Sequence, residues 1–308
     1  MKSAKHDTSS KPPIDRTADP IDPVDRLSPL LERFRVRAAL FHAGPLCGAT
    51  PFDPLPGRAF LHVLRRGAMV VRHRHGQGVP PLLRVNEPTL LLYPRPLFHE
   101  FVNPPREGSD FSCATLDFDG GAHNPIVIAL PALVQVPLAE VDGLAPALDL
   151  LSRETERVRC GSRLVADRLF EVLLIQLLRW ILDHPARVGV SSGLIAGLSD
   201  PRLARTLTAV HRSPGEPWTL PRMAAAAAMS RSAFAQAFKQ TTGTTPAAYL
   251  TDCRLTAASA MLRARHPVKR VADELGFADP SSLSRAFRQR FGAAPRAWRA
   301  ALARIFHQ

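Results

Sequence analysis

The side chains best suited to chemistry in this chain recur at matching positions of two similar stretches. One is Ser232-Ala-Phe-Ala-Gln-Ala-Phe-Lys-Gln-Thr-Thr-Gly-Thr-Thr-Pro-Ala-Ala-Tyr249 and the other is Ser281-Ser-Leu-Ser-Arg-Ala-Phe-Arg-Gln-Arg-Phe-Gly-Ala-Ala-Pro-Arg-Ala-Trp298. Ser, an apolar residue, Phe, a basic residue, Gln, Gly, Pro and an aromatic return in register. Gln236 and Arg285 hold equivalent places. A Gln amide reads an adenine edge bidentately, and an Arg guanidinium reads guanine or grips a phosphate. These two are the expected base contacts, with Lys239 and Arg288 expected on the nucleic-acid backbone. Arg231, Ser232, Ser281, Ser282 and Ser284 complete the expected contact set.

Such groups act together only if helices present them on one side. Phe234 and Phe238 are four residues apart, as are Leu283 and Phe287, so each pair forms the inner stripe of a helix and leaves the polar residues outside. Before each stretch lies a short helical pattern, mostly Ala over Pro221–Ala228, and a tight turn at Ala228-Met-Ser or Gly276-Phe-Ala. Ser230 or Ser232 can cap the helix that follows. Helix, short turn and basic helix make a helix-turn-helix, here present twice and joined by a helix expected over Pro246–Ala264. Pro246 and Pro295, each three residues after a Gly, suit the first turns of the helices they open.

A second constellation lies in the N-terminal half. Cys47, His62, His99 and Cys113 sit on or beside different short apolar runs. Thiolate and imidazole suit zinc or another borderline-soft metal, two cysteines brought together can switch by oxidation, and the same residues can also be plain core and loop. As a sensor, the set requires Cys47 and Cys113 within disulfide reach, about 7 Å at Cα, or on one metal with His62 and His99. The metal is unspecified, and no cofactor follows beyond a metal ion or effector in this half. His73-Arg-His75 alternates as a strand does, with no Glu at ligand spacing, and reads as strand surface. Gly189-Val-Ser-Ser-Gly193 matches a nucleophile-elbow pattern but has no strand before it, so it reads as linker. No G-x-G-x-x-G, P-loop or H-E-x-x-H occurs, and no catalytic residue is expected.

Charge separates the two halves. The 308 residues carry a net +13, yet positions 200–308 hold 17 Lys and Arg against 6 Asp and Glu, and the first 199 hold 23 against 21. A nearly neutral domain joined to a strongly basic one points to a polyanionic partner for the second. Four cysteines without a C-x-x-C pair argue against a disulfide scaffold or a zinc ribbon. Leu164–Leu182 is apolar but includes Asp167, Arg168, Glu171 and Arg179, too many charges for a bilayer span. The first 23 residues have no apolar signal core. A cytoplasmic protein without a membrane partner is expected.

Residues 1–23 read as a disordered tail, 24–185 as a sensor and dimerisation domain, 186–199 as a linker and 200–308 as the basic domain. Within the first domain an amphipathic helix is expected over Asp25–Phe41. Short strands are expected over Ala59–Leu64, Ala68–His75, Leu82–Val85, Thr89–Tyr93, Phe98–Val102 and Phe111–Phe118, enough for a small sandwich or barrel. Helices follow over Leu144–Arg159 and Ser162–Asp183. The second is apolar nearly all round and must be buried, in its own domain or in a homodimer. The fold class is α+β: an N-terminal β-barrel with a helical dimerisation segment, then an all-α tandem helix-turn-helix domain.

The C-terminal motifs resemble the DNA-binding domain of the AraC/XylS family of transcriptional regulators. Val271-Ala-x-x-x-Gly-Phe277, Phe287-Arg, Phe291-Gly and Pro295 followed by Trp298-Arg299 carry the resemblance, over about Asp200–Ala300. It implies double-stranded DNA as a partner, with each recognition helix in a major groove, and RNA polymerase as a further partner. Ala228 stands where the family usually has Gly, and Leu283 where Phe is commoner. Ser232 and Ala235 are smaller than usual, which implies weaker base readout by the first unit. Phe60-Leu-His62-Val-Leu, Pro94-x-Pro-x-x-His99 and Cys113-Ala-Thr-Leu-Asp-Phe118 resemble the cupin-type sensor domain of one branch of that family. Pro94–Asn103 tracks the second cupin metal motif with Pro96 in place of Gly, while the first motif is absent. The implied function is sequence-specific transcriptional regulation by an unknown small-molecule or redox effector; the competing reading is a metal-dependent cupin enzyme fused to a DNA-binding module.

Overall fold

The computed structural model describes residues 24–103, 109–157 and 159–305, with side chains to 301. The expected disordered tail, 1–23, lies outside the described residues. A first helix, α1 (Ser28–Arg33), leads into β1 (Val36–Leu46), β2 (Gly48–Phe52), β3 (Arg58–Arg66), β4 (Met69–His73), β5 (Leu82–Val85), β6 (Thr89–Tyr93), β7 (His99–Asn103) and β8 (Ser109–Phe118). A short helix α2 (Pro125–Ala129), strand β9 (Val134–Pro137), and helices α3 (Leu144–Glu156) and α4 (Ser162–Asp183) complete the first half. The strands form two antiparallel sheets, β1-β8-β3-β6-β9 and β2-β7-β4-β5. The expected barrel is thus a pair of facing cupin-like sheets without hydrogen-bonded closure.

Two strands depart from the sequence reading. The helix expected over Asp25–Phe41 stops at Arg33, because β1 claims Val36–Leu46 as the outer partner of β8. Basic residues alternating with apolar ones there fit a strand with one solvated face as well as they fit a helix. Gly48–Phe52, which contains Pro51, is β2 at the edge of its sheet, where a missing N–H costs no ladder bond.

The central strands β3, β6 and β8 of the five-stranded sheet are buried on both faces. Phe60, Leu64, Leu91, Phe111 and Cys113 face the smaller sheet, while Leu61, Val63, Leu90, Leu92, Ala114 and Leu116 join the core that includes α4. On α4, Phe170, Leu173, Leu174, Leu177, Leu178 and Ile181 are fully buried, and Leu164 (67% exposed), Val165 and Val172 face outward. Its apolar surface is therefore mostly consumed within the chain.

The second half begins inside the expected linker 186–199. That segment holds helix α5 (Leu194–Ser199), with Leu194, Ile195 and Leu198 buried. Helices α6 (Pro201–Arg212), α7 (Leu220–Ala226), α8 (Arg231–Thr242), α9 (Pro246–Arg263), α10 (Val268–Glu274), α11 (Pro280–Phe291) and α12 (Pro295–Ile305) follow. The helix-turn-helix pairs are α7–α8 and α10–α11, with α9 between them.

Both turns use the same helix ending. The N–H of Met229 bonds the Ala224 carbonyl in the first, and the N–H of Phe277 bonds the Ala272 carbonyl in the second. Such an ending requires left-handed backbone at the residue before. Gly276 supplies it at φ 68, but Ala228 is forced to φ 53. An L-residue there costs about 1–2 kcal/mol, against about 0.4–1 kcal/mol of extra unfolded-chain entropy for glycine. Ala228→Gly is therefore expected to stabilise the chain by about 0.5–1 kcal/mol in denaturant titration. Gly276→Ala should destabilise it severely, because an added Cβ would lie 2.4 Å from the Gly215 carbonyl oxygen.

Candidate nucleic-acid interface and sensor core

The two recognition helices are built alike. Ser230 caps α8 by accepting from the Ala233 N–H at 3.3 Å, and Asp279 caps α11 by accepting from the Ser282 N–H at 2.7 Å. Of the two serines proposed for the first cap, Ser230 does it. Phe234 and Phe238 are buried behind α8, with Phe238 against Tyr249 of α9; Leu283 and Phe287 are buried behind α11, with Phe287 against Trp298 of α12. Each buried side chain contributes roughly 1.5–3 kcal/mol, enough to fix which face turns outward. Arg231, Ser232, Gln236 and Lys239 on α8, and Ser281, Arg285 and Arg288 on α11, are exposed. Ser284 is half-buried on the same side. Ser282 is half-buried and its hydroxyl is engaged with the Asp279 carboxylate at 3.1 Å, so it serves the cap first.

One guanidinium ties the units together. Arg254 on α9 donates to the carbonyls of Pro214 (2.8 Å), Glu216 (2.9 Å) and Gly276 (3.2 Å). It thus joins the loop before α7 to the end of α10. Sequence reasoning did not single it out, because a staple to backbone leaves no side-chain motif.

The N-terminal constellation is only partly brought together. His62 on β3, His99 on β7 and Cys113 on β8 are fully buried between the sheets, and His62 is the register partner of Cys113. Cys47 is exposed. It follows Leu46, whose partner is Ser109, so four residues of β8 separate that level from Cys113. At about 3.3 Å per residue that is on the order of 13 Å, beyond disulfide reach. The expected closeness of Cys47 and Cys113 is overturned by strand register. Burial also pushes the Cys113 thiol far up, which leaves it a poor thiolate.

His62 and His99 touch through Nε2, 2.9 Å apart. His99 Nδ1 donates to the Leu97 carbonyl at 2.9 Å, so its Nε2 is the acceptor and His62 Nε2–H the donor. His62 Nδ1 is then a buried lone pair without a partner. Phe52, Phe60, Tyr93 and Phe101 surround the pair, Tyr93 stacking on His99 at 4.0 Å. The spacing is that of a hydrogen bond, shorter than two nitrogens on one tetrahedral zinc would stand. Among the described residues no group of three His, Cys, Asp or Glu is arranged to hold a metal. His73 and His75 do not share a face: β4 ends at His73, which is buried and accepts from the Tyr93 hydroxyl at 2.9 Å, and His75 is exposed in the turn.

The two halves meet through specific contacts. Arg33 donates to the carbonyls of His211 and Arg212 at the end of α6, Arg26 to Leu198, and Arg263 of α9 to Gly120. His123 packs edge-on against Phe291 at the end of α11. Beside these contacts, His211 lies buried between Tyr249, whose hydroxyl is 2.6 Å from Nε2, and Cys253.

The cupin family profile matches residues 25–183, and a helix-turn-helix domain profile matches 223–301. The chain belongs to the cupin family and also carries a helix-turn-helix domain. A putative AraC-like transcription regulator of Streptomyces antibioticus is 37% identical over 192 residues, 61% of either chain. The RCS-specific HTH-type transcriptional activator RclR of Escherichia coli K12 is 28% identical over 243 residues, covering 77% of this chain and 83% of that one. Against the first relatives it matches, the cupin chain spans 61%, 58% and 59% of their length. The DNA-binding domain of AdpA, solved with a target DNA, is 32% identical, covering 32% of this chain and 89% of that one, with a TM-score of 0.31. The relatives are regulators, and the enzyme reading is not favoured.

The buried imidazoles of the cupin domain give a pH prediction. Burial, opposed in part by the Leu97 carbonyl, lowers His99 to about 4; burial and the neighbouring His99 lower His62 well below its ordinary range. A depressed histidine takes up its proton on unfolding, so stability is full above about pH 6.5 and falls as pH drops towards 4. From pH 6.5 to 5, His99 should cost about 1.5 kcal/mol of unfolding free energy, and His62 acts in the same direction. Denaturant titration of His99→Phe at both values should give a shallower fall than the parent; an equal fall would remove His99 from that account.

Proposed function

We propose that the chain is a sequence-specific DNA-binding transcriptional regulator whose cupin domain senses a signal. The observation that carries this is the pair of exposed polar stripes on α8 and α11, each backed by buried aromatic or aliphatic side chains and held on one body by α9 and Arg254. Gln236 and Arg285 are the base readers, and Lys239 and Arg288 hold the DNA backbone. The regulators named among the relatives support this reading, and the family resemblance supports RNA polymerase as a further partner in the cytoplasm. No described helix is long and apolar enough to cross a membrane.

The sensing part rests on the cupin core. His62 presents an unpaired acceptor inside a ring of aromatic side chains, and the domain that holds it grips α6, α9 and α11 through Arg33, Gly120 and His123. An effector that repacks the core therefore changes how the DNA-binding units are held. His62, His99 and Cys113 are the sensor residues in this reading, and Cys47 is outside it. The outward Leu164, Val165 and Val172 of α4 support a homodimer through that face.

Selection of bound duplexes from a random library with the full chain tests the central reading. A defined motif is expected, with affinity falling steeply as salt rises. Arg285→Ala should relax one or two base pairs of that motif at a cost of about 1–3 kcal/mol. Failure to retain any duplex at low salt would remove the reading, and an unchanged motif with Arg285→Ala would remove Arg285 as a base reader.

A further inference from the structure

Beside the outward face of α11 lies a groove of about 780 Å³. One wall is the Ser281–Ser284–Arg288 stripe of α11. The others carry Arg265 in the turn after α9, Lys269 in the first turn of α10, and Arg296 and Arg299 on α12. Among the described residues no carboxylate lines it. Among the described residues none of these five cations is in an ion pair, although their neighbours are: Arg270 pairs with Glu274 and Arg290 with Asp252. Five uncompensated positive charges on one concave surface repel one another, and only an anion that spans them removes that cost.

The first unit has no such surface chemistry. By the repeat, the positions of Arg265, Lys269, Arg288, Arg296 and Arg299 correspond to Pro217, Pro221, Lys239, Ala247 and Leu250. One cation of the five is kept. Leu250 is buried in the core.

We infer that the second unit is the phosphate anchor of the pair. Its groove takes the DNA strand that borders the major groove entered by α11, through Arg265, Lys269, Arg296 and Arg299 together with Arg288. The first unit adds base reading and little sequence-independent affinity. DNA is the partner because the groove adjoins the reading face of α11, so one duplex meets both. This inference rests on the DNA-binding reading above and goes beyond it by assigning the two units unequal tasks.

The test is the salt dependence of binding by the full chain, with fluorescently labelled duplexes carrying either the selected motif or a scrambled one. Each phosphate contact contributes about 0.9 to the slope of log affinity on log salt. The variant Arg265→Ala/Lys269→Ala/Arg296→Ala/Arg299→Ala should therefore lose about 3–4 of that slope and weaken both duplexes alike, by 100-fold or more (order of magnitude) at low salt. Arg231→Ala/Lys239→Ala, on the first unit, should lose no more than about 2. The single changes Lys269→Ala and Arg296→Ala should each lose about 1, which keeps the test open if the fourfold variant does not fold. A folded fourfold variant with the parent slope, single variants with the parent slope, or a larger loss from the first-unit pair would each overturn the assignment while leaving DNA binding intact. A parent chain that binds neither duplex would overturn both.

Discussion

Three backbone carbonyls converge on Arg254, and the geometry of the C-terminal half depends on that meeting. The carbonyls of Pro214 and Glu216 come from the loop that opens the first unit, and that of Gly276 from the turn of the second. A guanidinium has five fixed donors and no acceptor, so it can satisfy several carbonyls at once without a competing partner. For the carbonyls to reach it, the two backbones must nearly touch. An added Cβ on Gly215 would lie 2.1 Å from the Glu274 carbonyl oxygen, and one on Gly276 would lie 2.4 Å from that of Gly215. Glycine is required at both places for closeness, and at Gly276 for its positive φ as well.

That constraint explains the difference between the two turns. Gly276 is held by the approach of another backbone, whereas Ala228 occupies the equivalent left-handed position. The first turn keeps its shape through the Met229–Ala224 bond and the Ser230 cap, and it accommodates the strain of an alanine.

The repeat, the helix faces and the charge asymmetry were legible because each is a local, periodic property. Phe234 and Phe238, or Leu283 and Phe287, declare their faces by spacing alone. The β half was less legible. The runs Leu82–Val85 and Thr89–Tyr93 are short and bounded by turn residues, and they match β5 and β6. Strand β1 was hidden because the basic and apolar residues that run from Arg33 into it fit a helix as well as a strand, and β9 because four residues carry little pattern. The sensor set failed where it depended on register: no sequence spacing reveals that β8 pairs Ser109 with Leu46 and so carries Cys113 away from Cys47. His62 and His99 meet because both lie on inward positions of facing sheets. The groove cations Arg265, Lys269, Arg296 and Arg299 were visible in the repeat, but only by asking where the two copies differ.

The packing of the two units is as unequal as their charge. A continuous apolar core runs from the outer face of the five-stranded sheet through α4, α5 and α6 to Phe234 and Phe238 of the first unit. The second unit has a core of its own, built on Leu262, Val271, Leu283 and Phe287. Close-packed interiors transmit displacement, because a side chain that moves leaves a void or a clash beside it. The core shared with the cupin domain therefore extends directly to α8, whereas the second unit meets that domain at its rim, through the Arg263–Gly120 bond of α9 and the His123–Phe291 contact of α11. Reading and anchoring are separable demands on a DNA-binding domain, since base edges need exact placement and phosphates need only charge nearby. The unit that shares its core with the cupin domain is also the unit poor in cations. On the proposed reading, small shifts of α8 would alter base placement without releasing the charge that α10, α11 and α12 hold in common.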